Sequence, residues 1–534
     1  ASRSGASRSG ASRSGASRSA LSRSSLLVST AASSSSLWGG SLWGGSLWGG
    51  SLWEASHLLL FVALGGFLWM ALRLVRRHRS RRRVPSVDRR VDRSMLNTVK
   101  HERAAAVFGP HPAHALPLWL ADMEIPCCEH ITRALTRRAS VPSFGYTLQP
   151  TEMWAAVSAW LYAEHRWSVP ADAFVFSPSV VTSVHLVLSI FTEKGDGVLL
   201  MTPLYRPLQD AVSLGGRRLL TVQLKGASLE LDWYALEAHL RDAKVLLLCN
   251  PHNPGGRLWS ASELRRLTSA CARHSVLLIS DEIWADWALG GGQYTPAALA
   301  NGTSDHQNTS GCEEDRHGGC RLVTLGAPTK TWNLAGLHAS YLIFSSGVDR
   351  RRYLDGVSHA FLSYGSTFAT EGILAAYTLG SPWLRGAKAL VEKNLDTLEV
   401  ALAALGGAAL GGAALGGAAE GRGGGETTLV EGGSPLPGEP IRGGPLRGGP
   451  IRFTRPRATY LAWLDCTALG FSDGSALNAW MRDEAALLLS AGGDFGEHTA
   501  QWQRLNCAVP SDVMDEVVKR LSAAVKARQA KMIR

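Results

Sequence analysis

The eight cysteines of this 534-residue chain lack the spacing of a structural framework. No CxxC pair of the kind that binds zinc occurs, and the cysteines are not distributed as in small disulfide-rich domains. Because disulfides are rare in reducing compartments, this usage favours a cytoplasmic or organellar protein. The cysteine pattern predicts no metal site.

Residues 1–94 also lack an apolar run of the roughly 20 residues that a membrane-spanning helix needs. Residues 58–72 form an apolar run of only fifteen, and a cluster of arginines follows between Arg73 and Arg83. One interpretation is a membrane anchor with the remaining chain on the cytoplasmic side, where positive residues are retained. A signal-peptide core or a misread upstream sequence is the alternative. Membrane contact is therefore expected only through residues 58–72.

From residue 95 onward the sequence has almost no net charge. The whole chain has a formal charge of +11, whereas residues 1–94 alone contribute +12. Binding of nucleic acid by the folded part is thereby disfavoured, because it depends on basic surfaces. Residues 1–35 repeat a Ser- and Arg-rich unit without acids, which is typical of a transit peptide or a disordered basic tail. With the Ser-Leu-Trp-Gly-Gly repeat that follows, residues 1–94 are predicted to be a low-complexity tail.

Beyond this tail, short apolar runs alternate with helical patterns, which indicates a parallel sheet covered by helices. The apolar runs lie at 198–201, 244–249, 276–280, 322–325 and 340–344. Their richness in Val, Leu and Ile is typical of strands that are buried on both faces. Between the second and third runs, Ser260 and Glu263 have the spacing of a capping box and predict the start of a helix.

Two segments interrupt this alternation and suggest the domain organisation. Residues 300–320 are a polar insertion, and residues 405–457 are a Gly-, Ala- and Pro-rich repeat that is predicted to be disordered because it cannot pack a core. We predict an N-terminal arm with part of the small domain at 95–145, a large domain at 146–385 and a C-terminal small α+β domain at 386–534. The elements predicted in the small domain are a strand at 459–465, a helix at 476–489, a strand at 503–506 and a helix at 513–527.

Three predicted strands end in residues that are suited to chemistry. Lys330 follows one strand in GAPTKTWNLAGL, Asn253 follows another in CNPHNPGG, and Asp281 ends a third in SDEI. Open α/β sheets bind ligands at the carboxyl ends of their strands, so we expect the three side chains to converge on one crevice. Taken singly, each also has a structural interpretation, as a surface lysine, a turn asparagine or a helix cap.

In their order and separation, these motifs resemble those of pyridoxal phosphate (PLP) enzymes of fold type I, the aminotransferase class I/II superfamily. The resemblance covers residues 95–534 apart from the two inserts. The flanking motifs PLWLADMEIP, SPSVV, TPLY and RLNCAVP look like the MalY/PatB branch, which contains carbon–sulfur β-lyases of the cystathionine β-lyase type. The implied fold is α/β, with a mostly parallel sheet flanked by helices in a large domain and a smaller α+β C-terminal domain.

The resemblance implies a role for each candidate residue. Lys330 is the lysine that forms a Schiff base with PLP and then takes the Cα proton of the substrate. Asp281 pairs with the pyridine nitrogen, and Arg504 binds the substrate carboxylate through two parallel donors. The other implied cofactor contacts are Asn253 on the phenolic oxygen, Tyr205 stacked on the ring, Ser179, Val180, Val181 and Thr329 on the phosphate, and Tyr146 on the phosphate from the partner subunit of a homodimer.

One position departs from the resembled pattern. Trp284 follows Asp-Glu-Ile where the resembled lyases usually carry His and aminotransferases usually carry Tyr. We predict β-elimination from cystathionine or a cysteine S-conjugate, giving a thiol, pyruvate and ammonia. Transamination of an amino acid is the alternative, because it needs the same cofactor and the same lysine. A regulatory or scaffold protein on this fold is a third hypothesis, against which the complete set of candidate site residues argues.

Overall fold

The computed structural model describes residues 87–533 except 93–95, 302–318, 359, 361, 363 and 413–448. The predicted anchor at 58–72, most of the predicted tail and the middle of both predicted inserts lie outside the described residues. Among the helices that are described, none combines the length and the apolar character needed to cross a bilayer.

The described residues form thirteen strands in three sheets. Seven strands make a central sheet, four make an antiparallel sheet in the C-terminal part, and two form a short parallel pair. The strands are β1 (Leu116–Pro117), β2 (Phe174–Ser177), β3 (Gly197–Thr202), β4 (Arg218–Gln223), β5 (Ala243–Cys249), β6 (Leu277–Asp281), β7 (Leu322–Gly326), β8 (Ser340–Phe344), β9 (Arg452–Phe453), β10 (Leu461–Asp465), β11 (Leu487–Leu488), β12 (Ser490–Ala491) and β13 (Trp502–Asn506).

The central sheet has the strand order β2-β8-β7-β6-β5-β3-β4, and within it β8 alone runs in the direction opposite to the other six strands. Successive side chains of a strand point to opposite faces. Val245 and Leu247 of β5 accordingly pack in one core, and Leu246 and Leu248 pack in the other. Burial on both faces explains the unbroken apolar runs, and all five predicted strands are confirmed to within one residue at each end.

The described residues also form thirteen α-helices. They are α1 (Val99–Glu102), α2 (Ala104–Phe108), α3 (Glu129–Ala139), α4 (Thr151–His165), α5 (Val180–Phe191), α6 (Arg206–Leu214), α7 (Trp233–Leu240), α8 (Ala261–Arg273), α9 (Gly347–Ser358), α10 (Thr367–Leu379), α11 (Ser381–Gly412), α12 (Gly474–Asp483) and α13 (Ser511–Ile533). The predicted capping box opens α8: the Ser260 hydroxyl accepts the N–H of Glu263 at 3.2 Å, and the Glu263 carboxylate accepts the N–H of Ser260 at 2.9 Å.

The helix predicted at 476–489 is too long. Helix α12 ends at Asp483, and Ala486 adopts a left-handed backbone conformation with φ of 50°, which an α-helix does not contain. The next two residues form β11 and pair with β1 instead. The apolar run that favoured a longer helix is therefore a helix followed by a buried strand.

The disorder predicted for residues 405–457 is wrong at both ends. Helix α11 continues to Gly412, because Leu402 and Leu405 extend its buried apolar stripe into the repeat. On the far side, Ile451 and Phe453 are each 2% exposed, and β9 pairs with β10. Residues 413–448 lie outside the described part of the chain.

The polar insertion predicted at 300–320 starts and ends in the core. Ala300 and Cys320 are buried, and the side chain of Asn301 bridges the two ends. Its Nδ2 donates to the Cys320 carbonyl at 2.8 Å, and its Oδ1 accepts the Cys320 N–H at 2.9 Å. The insertion is therefore narrower than predicted, and its middle lies at 302–318, outside the described residues.

Candidate active site

Three neighbouring strands of the central sheet end side by side. In the register of the sheet, Cys249 of β5 is opposite Asp281 of β6, and Asp281 is opposite Leu325 of β7. Asn253 follows β5 and Lys330 follows β7, so both leave the same edge of the sheet on either side of Asp281. This parallel register is why residues separated by up to 77 positions in sequence reach one crevice.

The Lys330 amine points into this crevice toward the segment that precedes α3. Its Nζ donates to the Ala121 carbonyl at 2.7 Å and lies 6.0 Å from the ring centre of Trp284. The Lys330 carbonyl accepts the indole N–H of Trp287 at 2.8 Å, which fixes the backbone behind the side chain. Burial lowers the pKa of Lys330 to about 8. About a tenth of the amine is therefore uncharged at pH 7 and able to act as a base, compared with less than about one part in a thousand for an ordinary lysine.

Charged side chains on several elements also act on Lys330. Asp122 and Asp281 favour its ammonium form and raise its pKa. Arg504 and Lys100 oppose that form and lower its pKa. Such mutual effects require proximity, since interactions between charges weaken with distance and are screened by solvent. The hydrogen bonds agree, since the Lys330 amine and the Arg504 guanidinium bind carbonyls of one segment, at Ala121 and Trp119, and Asp281 ends the strand that lies between β5 and β7.

Asp281 is a buried carboxyl group, 4% exposed, at the end of β6. Burial raises its pKa to about 7, although the backbone N–H of Ile283 donates to Oδ1 at 3.1 Å. The neighbouring Glu282 carboxylate raises the pKa further, and the charge of Lys330 lowers it. A cationic group next to Asp281 would hold it ionised, which is the chemistry of a protonated pyridine nitrogen.

Arg504 reaches the crevice from β13 of the antiparallel sheet and is 3% exposed. Its Nη1 donates to Asn253 Oδ1 at 3.1 Å, and its Nη2 donates to the Trp119 carbonyl at 2.8 Å and to the Ser490 hydroxyl at 3.1 Å. Burial lowers the pKa of Arg504 to about 10, so the group stays positive near neutral pH. In the described part of the chain its buried Nε has no hydrogen-bond partner. This N–H is therefore available to donate to a bound anion.

The contact with Arg504 also orients Asn253. Because Oδ1 of Asn253 accepts from the guanidinium, its amide N–H groups are left as donors. This orientation fits the implied hydrogen bond from Asn253 to a phenolic oxygen.

Tyr205 immediately precedes α6, and Arg504 and Asp281 act on its hydroxyl. Burial raises the pKa of its hydroxyl, Arg504 lowers it and Asp281 raises it. The ring therefore lies beside both groups, where stacking on a planar cofactor is chemically reasonable.

A phosphate site is offered by the N-terminus of α5. Ser179 caps this helix by accepting the N–H of Thr182 at 3.1 Å, and Val180 and Val181 form its first turn. Backbone N–H groups of a first turn have no partner within the helix and attract anions. Because β2 is parallel to β7, the helix starts at the same edge of the sheet as Lys330 and Thr329.

Tyr146 stays apart from this group. Its side chain is 91% exposed, and its ring centre lies 5.5 Å from that of Tyr364. Its implied contact with the phosphate of a partner subunit stays a prediction.

The residues around Trp284 were only partly anticipated. Trp284 is fully buried, and its ring meets that of Tyr460 edge-on at 4.8 Å. The Tyr460 hydroxyl donates to the Ala121 carbonyl at 2.8 Å, and the same carbonyl accepts the Lys330 amine. Trp284 thus packs behind the site, and Tyr460, in the segment ATYLAWLD at 458–465, was not among the predicted site residues.

A buried network behind Lys330 was also missed. The carboxylate of Asp286 accepts hydrogen bonds from Trp160 Nε1 at 2.9 Å, His165 Nε2 at 2.8 Å and the Thr331 hydroxyl at 2.8 Å. Burial raises the pKa of Asp286, but these hydrogen bonds outweigh it and hold the pKa below the usual value. Since Thr331 follows Lys330 directly, the network fixes the backbone from which the amine projects.

Comparison with known proteins agrees with this geometry. The model of the family described as aminotransferase class I and II matches residues 121–414. The chain is 32% identical to cystathionine beta-lyase PatB of Bacillus subtilis over 442 residues, which cover 82% of this chain and 99% of that protein. Protein MalY of Escherichia coli is 27% identical over 449 residues, covering 82% of this chain and 98% of MalY.

The fold also matches solved structures. Cystalysin from Treponema denticola, whose crystal structure contains a pyridoxal 5'-phosphate cofactor, superposes with a TM-score of 0.68 at 24% identity. The match covers 83% of this chain and 98% of cystalysin, so the predicted fold type is confirmed. The chain belongs to the aminotransferase class I and II family.

Proposed function

We propose that this chain is a PLP-dependent carbon–sulfur β-lyase that acts on cystathionine or a cysteine S-conjugate. The observation that carries the proposal is the single crevice in which the Lys330 amine, the Asp281 carboxyl group and the Arg504 guanidinium lie together. Similarity to PatB, which is named a cystathionine beta-lyase, favours elimination over transamination.

The residues present fit the cofactor. When bound, PLP supplies an electron sink that stabilises the negative charge left on Cα after a proton is removed. Asp281 would hold the pyridine nitrogen protonated, and the first turn of α5 with Thr329 would bind the phosphate. Asn253 and Tyr205 would hold the ring by a hydrogen bond and by stacking.

Lys330 would remove the Cα proton. With its pKa lowered to about 8, the amine is a base of suitable strength at neutral pH and remains able to return a proton to the leaving sulfur. The bond between Cβ and sulfur then breaks, and the sulfur leaves as a thiol with one proton. One water molecule converts the remaining 2-aminoacrylate into pyruvate and ammonia, which completes the balance of atoms.

Arg504 would position the substrate through its carboxylate. Only a guanidinium provides two parallel donors for the two carboxylate oxygens. The hydrogen bonds of Arg504 to Asn253 and to the Trp119 carbonyl set the direction of that fork before the substrate arrives.

We further infer a homodimer in which Tyr146 contributes to the site of the partner subunit. In support, the Tyr146 ring contacts that of Tyr364, and Phe144 and Leu148, two positions away on either side, are also exposed apolar residues that a second copy of the chain would cover. Analytical ultracentrifugation of the Tyr146→Phe variant and the wild type would test the homodimer. Titration of both apoproteins with PLP, followed by absorbance, would test the contribution of Tyr146 to the site. A dimeric variant with weakened cofactor binding supports the contact, whereas a monomeric wild type contradicts it.

The reaction class is decided by product analysis. The holoenzyme is incubated with cystathionine without any added keto acid, and pyruvate and free thiol are measured. We expect both products in equal amounts, and we expect the Lys330→Ala variant to form neither. Products that appear only after 2-oxoglutarate is added would identify an aminotransferase.

A further inference from the structure

Two lysine amines are bound by consecutive carbonyl groups of one short segment. The Lys330 amine donates to the Ala121 carbonyl at 2.7 Å, and the Lys100 amine donates to the Asp122 carbonyl at 2.6 Å. Lys330 comes from the loop after β7, whereas Lys100 comes from α1. Two positive charges from distant parts of the chain therefore lie next to each other at the site.

Lys100 is completely buried, at 0% exposed, and has dedicated partners. Its amine contacts the Asp122 carboxylate at 2.5 Å and the Glu124 carboxylate at 2.8 Å. The ring of His101 also faces Glu124, with 3.6 Å between Nε2 and Oε1. A buried ammonium persists only when opposite charges and hydrogen bonds compensate its lost hydration, and the two carboxylates do this.

The same segment extends to the arginine that would bind substrate. The Trp119 carbonyl accepts Arg504 Nη2 at 2.8 Å, and the Trp119 indole N–H donates to the Lys100 carbonyl at 3.0 Å. Residues 119–124 therefore bind the Arg504 guanidinium at Trp119 and the Lys330 amine at Ala121, and Lys100 binds the same segment at Asp122 and Glu124.

We propose that Lys100 is a positioning residue for Lys330: it anchors residues 119–124, which hold the reactive amine, and it places a second fixed positive charge beside that amine. A neighbouring cation favours the uncharged and nucleophilic form of a lysine. The inference deepens the proposed function and rests on it for its effect on turnover. The proton affinity of Lys330, in contrast, is a property of the chain alone.

The charges around Lys330 set the sign of the expected effect. Asp122 and Asp281 favour the ammonium form, and Arg504 and Lys100 oppose it. Replacing Lys100 by a neutral residue removes one opposing charge and leaves the Asp122 carboxylate less neutralised. Both consequences make Lys330 hold its proton more tightly.

The test measures acetylation of Lys330 by acetic anhydride in the apoprotein as a function of pH, with mass spectrometry of the peptide that contains Lys330. For Lys100→Met we expect the profile to move to higher pH by about one unit, which is about a tenfold loss of labelling at pH 7. Lys100→Arg keeps the charge, so we expect a profile close to that of the wild type. Lys225→Met is a control, because Lys225 pairs with Asp232 at the exposed surface.

A folded Lys100→Met variant whose profile equals that of the wild type would overturn the proposal, even if its melting temperature were lower. If Lys100→Met does not fold, Glu124→Gln decides, because Glu124 binds Lys100 and the amide keeps a hydrogen-bond acceptor. Leaving Lys100 less neutralised should shift the Lys330 profile to lower pH. A pH profile of Lys330 acetylation in Glu124→Gln that is unchanged, or that moves to higher pH, contradicts the proposal. None of these outcomes depends on lyase activity.

Discussion

Asp281 and Asp286 are five residues apart and both are buried, yet their pKa values shift in opposite directions. Asp281 accepts one backbone N–H, so burial dominates and raises its pKa to about 7. Asp286 accepts hydrogen bonds from three side chains, which outweigh burial. The carboxyl group facing the crevice is thus left for a cationic ligand, whereas the one behind it is satisfied by the protein itself.

Loss of the Asp281 carboxyl group should reduce turnover more than any other change considered below. Asp281→Asn replaces a group that can become an anion by a neutral amide, so a pyridine nitrogen next to it would lose the partner that keeps it protonated. We expect kcat for pyruvate formation to fall by about 10²–10³-fold, as for removal of a key electrostatic partner. Steady-state kinetics with cystathionine measure this. A kcat within twofold of the wild type would place the cofactor elsewhere.

Replacement of Asp286, which lies behind the crevice, should lower the stability of the protein. Asp286→Asn weakens three hydrogen bonds to a buried anion, and we expect the free energy of unfolding to fall by about 2–3 kcal/mol at pH 7. Because the folded-state pKa of Asp286 is lowered, this stabilisation is present above about pH 4 and is lost as the pH falls below that value. Urea denaturation of the apoprotein at pH 7 and pH 3 tests the amount and the sign.

Asp281→Asn is the matched control for that measurement. The folded-state pKa of Asp281 is raised, so ionisation of the wild-type group destabilises the apoprotein as the pH rises from about 4 through 7. We therefore expect Asp281→Asn to be at least as stable as the wild type at pH 8. Equal losses of stability in Asp281→Asn and Asp286→Asn would contradict the opposite pKa shifts of the two carboxyl groups.

Replacement of Arg504 should weaken substrate binding by a smaller amount. Arg504→Lys keeps a positive charge but removes the fork that would bind two carboxylate oxygens and the contact with Asn253. We expect KM for cystathionine to rise by about tenfold, corresponding to about 1.4 kcal/mol. An unchanged KM would show that the substrate carboxylate binds elsewhere.

The sequence predicted the residues that line the crevice better than the buried residues that hold them in place. Lys330 follows β7 and Asp281 ends β6, and both strands are buried on both faces, so apolar runs located these residues and the parallel register brought them together. Arg504 and Tyr205 were found through short motifs, because neither a periodic pattern nor the spacing along the chain connects them with Lys330.

The buried residues that hold the site in place could not be predicted, because their contacts are set by the tertiary structure. Lys100 meets Asp122 and Glu124 through an irregular segment, and no periodic pattern relates their positions. Asp286 was within reach of prediction, since it lies two residues after Trp284, but its partner His165 is 121 residues away. The Gly- and Ala-rich end of α11 was misjudged because composition concealed its leucine stripe.

Lys330 is proposed as the residue to which PLP is attached. The most direct measurement is reduction of the holoenzyme with borohydride, followed by proteolysis and mass spectrometry of the peptides. We expect the mass of the reduced cofactor on the peptide that contains Lys330, and none in Lys330→Ala. A holoenzyme that carries the cofactor on a different lysine, or that loses none of it in Lys330→Ala, would contradict the proposed site.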